Sequence, residues 1–145
     1  MAEEITGLAT MDVRGALSAG GQQAYCSMQS GTAKEKAALY NATSNPTHKV
    51  GDYINKTIRV KDLYVEAIEL TDDKTGETII TPRIVLVDVD GDSYQAVSKG
   101  VYNSLVRLIH TFGEPTWEEG LPLMVKQISL GVNQMLSLEI NIDEM

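Results

Sequence analysis

The chain has 145 residues, 43% of them hydrophobic, and a formal net charge of −8. That length suits one domain with a tail or small decoration, and the apolar content excludes wholesale disorder. No apolar run reaches the roughly 18 residues of a membrane helix, the acidic start "MAEEITGLATMDVRG" is unlike a signal peptide, and the lone Cys26 excludes an internal disulfide or a multi-thiolate metal site.

A soluble chain in a reducing, intracellular compartment is therefore expected. The negative charge argues against non-specific adhesion to nucleic acid, whose phosphates it repels. A local basic groove would have to come from a few well-placed Lys and Arg.

Met1 to about Met28 is rich in small residues without a sustained period and reads as an irregular arm. In "SGTAKEKAALYNATSN", Thr32 and Glu35 stand at capping-box spacing, and Asn45-Pro46 ends the helical pattern. A short helix over about 32–44 is expected, completing an N-terminal arm of residues 1–45. Residues 46–145 form the second unit. In "VGDYINKTIRVKDLYVEAIEL", Ile58 and Val60 are in phase, while Leu63 and Val65 are one residue out. One slip in a period-2 pattern is the signature of a β-bulge in a long bent strand.

"TDDKTGE" is a turn, and "TIITPRIVLVDVD" is a second strand. "DGD" turns into a third strand, "SYQAV". The period then changes. Val101, Leu105, Leu108, Ile109 and Phe112 share one helix face, with Ser98 as N-cap and Gly113 then Pro115 as the stop. After the loop "EPTWEEGLP", "LPLMVKQISLG" and "QMLSLEINI" read as two strands around a "GVN" hairpin turn.

The order β-β-β-α-β-β, with a long bent first strand, is that of a mainly β, five-stranded Greek-key OB-fold barrel. The first strand bends to pair with both halves, and the helix plugs one end.

Enzymatic constellations are missing. There is no GxxxxGK[ST] loop and no GxGxxG at a strand–helix junction. His48 and His110 are far apart in sequence, and His110 reads as a boundary residue of its helix. "DVDGD" resembles half a calcium loop, but its twelfth position is Lys99 rather than glutamate, so a hairpin turn is the better reading. Neither catalysis, a metal nor a cofactor is expected.

Binding features are stronger. Tyr53, Tyr64, Tyr94, Tyr102 and Trp117 are amphipathic aromatics near Lys49, Lys56, Arg59, Lys61, Arg83, Lys99, Arg107 and Lys126. An OB barrel binds single strands on the face of its second and third strands and under adjoining loops. Bases stack on aromatic rings while cations meet phosphates. The candidate set is Lys56, Arg59, Lys61, Tyr64, Arg83, Tyr94, Lys99, Trp117 and Lys126. Arg83 could equally be an exterior Arg paired with an acid, Tyr64 and Tyr94 could cover the core edge, and Trp117 could cap the barrel.

The stretches "VGDYINKTIRVKDLYVEAIEL", "TGETIITPRIVLVDVDGDSYQAVSKGVYNSL" and "FGEPTWEEGLPLMVKQI" together resemble the single-stranded DNA-binding proteins of small tailed phages of Gram-positive hosts. The similarity covers about Asn45 to Ile142. The resemblance implies a non-enzymatic OB-type domain that coats and protects single-stranded DNA during phage replication, with single-stranded DNA and phage replication proteins as partners and no membrane. The short end "NIDEM" departs from the long acidic tails of bacterial single-strand binders, so recruitment through such a tail is not expected. The alternative reading is an OB-like protein–protein module, such as a replisome adaptor or virion component, without nucleic-acid binding.

Overall fold

The computed structural model describes residues 24–131 and 133–145. The arm expected over Met1–Met28 lies largely outside the described residues. Strand β1 (Ala24–Cys26) is followed by helix α1 (Ala33–Ser44), β2 (His48–Lys49) and a 3-10 turn (Val50–Tyr53). Then come β3 (Thr57–Thr71), β4 (Thr78–Asp88), β5 (Ser93–Val97), helix α2 (Lys99–Phe112), β6 (Leu121–Leu130) and β7 (Asn133–Ile140). All five expected strands and both expected helices are present. The fold is a mainly β, curled mixed sheet of seven strands compatible with an OB-like barrel.

The strand order is β2-β5-β4-β3-β6-β7, with β1 on β3. Strand β3 is the shared strand. Thr57–Val60 pairs with Leu121–Met124 of β6, and Asp62–Thr71 pairs with Thr78–Val87 of β4. The ladder to β4 shifts register between Val60 and Asp62, so Lys61 is the extra residue where the strand passes from one partner to the other. This is the slip in the hydrophobic pattern: Ile58 and Val60 face the core before it, Leu63 and Val65 after it.

The core joins these residues to Ile84, Leu86, Leu123 and Val125 from the sheet and Val101, Leu105 and Ile109 from α2. Ser98 caps α2 by accepting from the Val101 amide, and Gly113 ends it at φ 86°. Gly100 is required by proximity: a Cβ there would strike the Leu136 carbonyl and the Met135 side chain. The helix thus lies close along β7, where Ser104 Oγ accepts from the Leu138 amide at 3.1 Å. Two helix residues depart from expectation. Phe112 is 45% exposed and His110 is exposed, because the last turn of α2 overhangs the core.

Two strands, β1 and β2, have no counterpart among the five expected. They are three and two residues long, too short to carry a period, and each exists because another strand offers a free edge. Cys26 pairs with Tyr64, and His48 with Tyr94. Among the described residues no helix is long and apolar enough to cross a membrane.

Candidate nucleic-acid interface

The chain from His48 to Lys56 connects β5 to β6. His48 and Lys49 lie parallel to Tyr94 and Gln95, and Ile54 bridges Val125. Asn55 adopts φ 66°, a left-handed turn that Asn tolerates, with its amide on the Val125 carbonyl at 2.7 Å. This run forms one wall of a cleft at the barrel mouth.

Three rings meet there. His48 stacks on Tyr94 at 4.9 Å between centroids, and Tyr53 stands edge-on to both, at 5.3 and 5.0 Å. Tyr53 Oη and His48 Nδ1 share a hydrogen bond of 3.1 Å. Lys56 Nζ lies 5.6 Å from the Tyr53 ring centroid, a cation–π geometry. Lys126 Nζ donates to Asn55 Oδ1 at 3.4 Å.

A cleft of about 480 Å³ is lined by the chain neighbours of these rings, Lys49, Gly51, Asp52, Gln95, Ala96 and Val97, and by Leu136. Lys99 opens α2 one residue before Gly100, which rides on Leu136 at the cleft wall. Lys49, Lys56 and Lys99 are exposed and Lys126 is half-buried. Around the His48–Lys56 run, Lys49 and the acid Asp52 line the cleft, Lys56 stands at the Tyr53 ring, Lys126 at Asn55, and Lys99 next to Gly100 at the Leu136 end, on a chain that is acidic overall.

Of the other expected residues, Tyr94 lies beneath the mouth and the rest lie elsewhere. Tyr94 is only 7% exposed, and its hydroxyl donates to Asp88 Oδ2 at 2.8 Å. Burial, then the bond to Asp88 and its charge, hold this phenol well above its usual range. Its ring supports His48 and Tyr53 from below. Asp88 also accepts from the amides of Asp90 and Asp92, so "DVDGD" is a carboxylate-organised hairpin turn.

Tyr64 and Arg83 are on the outer face of β3 and β4, beneath α1. Arg83 donates to Glu66 Oε2 at 3.0 Å, to the Thr43 carbonyl at 2.6 Å and to Gln95 Oε1 at 3.4 Å. Tyr64 donates to the other Glu66 oxygen, at 3.0 Å. Burial and the Glu66 contact push its phenol up to about 12.

Arg59, Lys61 and Trp117 gather around the loop from α2 to β6. Arg59 donates to the carbonyls of Glu119, Gly120 and Glu144. Trp117 packs on the core, with its amide on the Lys61 carbonyl and Nε1 on the Gly113 carbonyl, at 3.0 and 3.1 Å.

The nine residues therefore form three groups rather than one track: Lys56, Lys99 and Lys126 with the Tyr94 ring at the mouth, Tyr64 and Arg83 outside, and Arg59, Lys61 and Trp117 at the loop. Lys49, Asn55, His48 and Tyr53 complete the mouth and are absent from the expected set. Their one sequence signal is the compact run "HKVGDYINK", where ring and lysine residues interleave over nine positions.

Comparison with curated proteins and with solved structures finds no match. Comparison with family models does: the model described as phage single-stranded DNA-binding protein, of the phi29 type, matches residues 19–141. The match covers both helices and every strand described above, so the chain belongs to the phage single-stranded DNA-binding protein family.

Proposed function

We propose that the protein coats single-stranded DNA during phage replication in the host cytoplasm, holding the strand at the barrel mouth of residues 46–145. The observation that carries this reading is Lys56 poised over the Tyr53 ring beside the His48–Tyr94 stack. Bases present π-faces that such rings accept whatever the sequence, each stack contributing roughly 1–3 kcal/mol. Lys49, Lys56, Lys99 and Lys126 stand where phosphates would follow. Lys56 leaves the ring for a phosphate as a base takes its place.

The expected set enters this reading unevenly. Lys56, Lys99 and Lys126 contact the strand, and Tyr94 acts by backing Tyr53. Arg59, Lys61 and Trp117 hold the loop that closes the barrel. The surrounding acidic surface disfavours duplex, whose denser phosphates need more cations than the mouth offers.

The test is a titration with oligo-dT at low and moderate salt, monitored by tyrosine and tryptophan fluorescence. Quenching that weakens with salt and exceeds the response to duplex is expected. No binding at low salt would leave the protein–protein module as the better reading.

A further inference from the structure

We infer that α1 is a displaceable cover over a second single-strand-binding face, the outer surface of β3, β4 and β5; this rests on the reading of the protein as a single-strand binder. Beneath the helix lie the Tyr64 ring, the Arg83 guanidinium and the apolar floor of Val85 and Val87, with the Gln95 amide, which also lines the mouth cleft, at the edge beside Arg83. A ring, a cation, an amide and a flat apolar floor are what an unpaired nucleotide needs: stacking, phosphate pairing and a base-edge contact.

The cover is thinly held. Of the helix residues only Ala42 is buried, seated with Val85 and Val87. Among the described residues the latch is one hydrogen bond, from Arg83 Nη2 to the Thr43 carbonyl, 2.6 Å. The helix carries its own start but, at twelve residues, is marginal once off the sheet. Thr32 and Glu35 cap it reciprocally, satisfying its first amides from within.

By contrast, both ends of the segment are pinned. The Ser27 amide and hydroxyl bond the Leu63 carbonyl and Asp62 at 3.0 and 2.8 Å. Thr47 and Ser93 exchange three hydrogen bonds. A strap tied at Ser27 and Thr47 with a weak seat between them can lift without leaving the molecule.

The exchange on lifting is chemically balanced. Arg83 Nη2 trades the Thr43 carbonyl for a phosphate oxygen, and a base covers Val85 and Val87 in place of Ala42. Glu66 keeps its bond to Nη1 and opposes the phosphate, so the face suits one contact rather than a run of them. While α1 is seated, the apparent affinity of this face is reduced by the fraction of molecules in which it is open.

The test uses the full chain and oligo-dT. Ala42→Gln wedges the seat without adding charge. It is expected to tighten binding about tenfold if the open form is a minor one, and Arg83→Gln added to it is expected to cancel the gain. In the unaltered protein, oligo-dT is expected to speed amide hydrogen exchange across Leu39–Ser44. Unchanged or weaker binding by Ala42→Gln, or exchange that is unchanged or slowed on DNA binding, overturns the cover. If neither form binds oligo-dT at low salt, the failure is instead that of the single-strand-binding reading on which it rests. The exchange measurement decides the matter should Ala42→Gln fail to fold.

Discussion

Lys56 Nζ stands 5.6 Å from the centre of the Tyr53 ring, although the two side chains come from different local structures, the 3-10 turn and the approach to β3. A single left-handed residue, Asn55, sits beside Lys56 and turns the chain between them. On the proposed function, the pair supplies the two halves of single-strand recognition, a ring face and a cation, at one point of the barrel mouth.

Removing the ring should therefore cost most. Tyr53→Leu is expected to weaken oligo-dT binding by about 1–3 kcal/mol, the value of one base stack, or roughly 5- to 150-fold. Fluorescence anisotropy of labelled oligo-dT checks this. An unchanged affinity would remove Tyr53 from the interface.

The salt dependence counts the cations. Each phosphate neutralised on a single strand contributes about −0.7 to the slope of log K against log salt, so the four lysines of the mouth predict a slope of about −3. Lys56→Gln should make it shallower by about 0.7. A slope that does not change with Lys56→Gln would place that lysine off the strand.

Tyr94 acts from beneath, and its replacement should separate stability from binding chemistry. Tyr94→Phe keeps the ring under His48 but removes the donor to the buried Asp88. A loss of about 1.5–3 kcal/mol of stability is expected, as for a hydrogen bond to a charged group, with oligo-dT affinity nearly unchanged. Urea unfolding and titration of the same variant check both halves.

Alkaline pH should unlock the outer face. Burial first, and then the bond to Glu66, push the Tyr64 phenol from 10.0 up to about 12, so the fold favours its neutral form. That contribution is complete below about pH 10 and is lost as pH rises through about 12. Thermal melts across this window should fall more steeply for the unaltered protein than for Tyr64→Phe. Parallel curves would mean that Tyr64 titrates without coupling to folding. Tyr25 and Tyr94, also raised by burial, sustain the remaining decline above it.

A fifth expectation concerns packing. Gly100→Ala should destabilise the protein, because its Cβ meets the Leu136 carbonyl, part of the backbone, as well as the adaptable Met135 side chain. A melt equal to that of the unaltered protein would show that α2 can move away from β7.

Much of the fold was legible in local signals. The capping box of Thr32 and Glu35, the phase slip between Val60 and Leu63, and the Ser98 and Gly113 helix ends each depend on residues within a few positions of one another. Local backbone chemistry and hydrophobic period decide such features, so sequence alone determined them, and with them the strand and helix order of an OB-like barrel. The stretches resembling phage single-strand binders likewise lie within what the family match covers.

What tertiary structure alone decided is which side of the sheet each polar or aromatic residue serves. Arg83 and Tyr94 come from adjacent strands, yet one latches a helix on the outside and the other lies within the core. Alternation says only that the neighbours Val85 and Leu86 face opposite ways. It cannot say that α1 covers one of those faces, because Ala42 leaves no amphipathic stripe to announce it. Nor can it bring His48 beside Tyr94, a contact 46 residues long in sequence that exists because β5 has a free edge. Sequence therefore determined the elements and the family, through short-range patterns. Which cations and rings share a surface was decided by long-range pairing, whose partners no local period encodes.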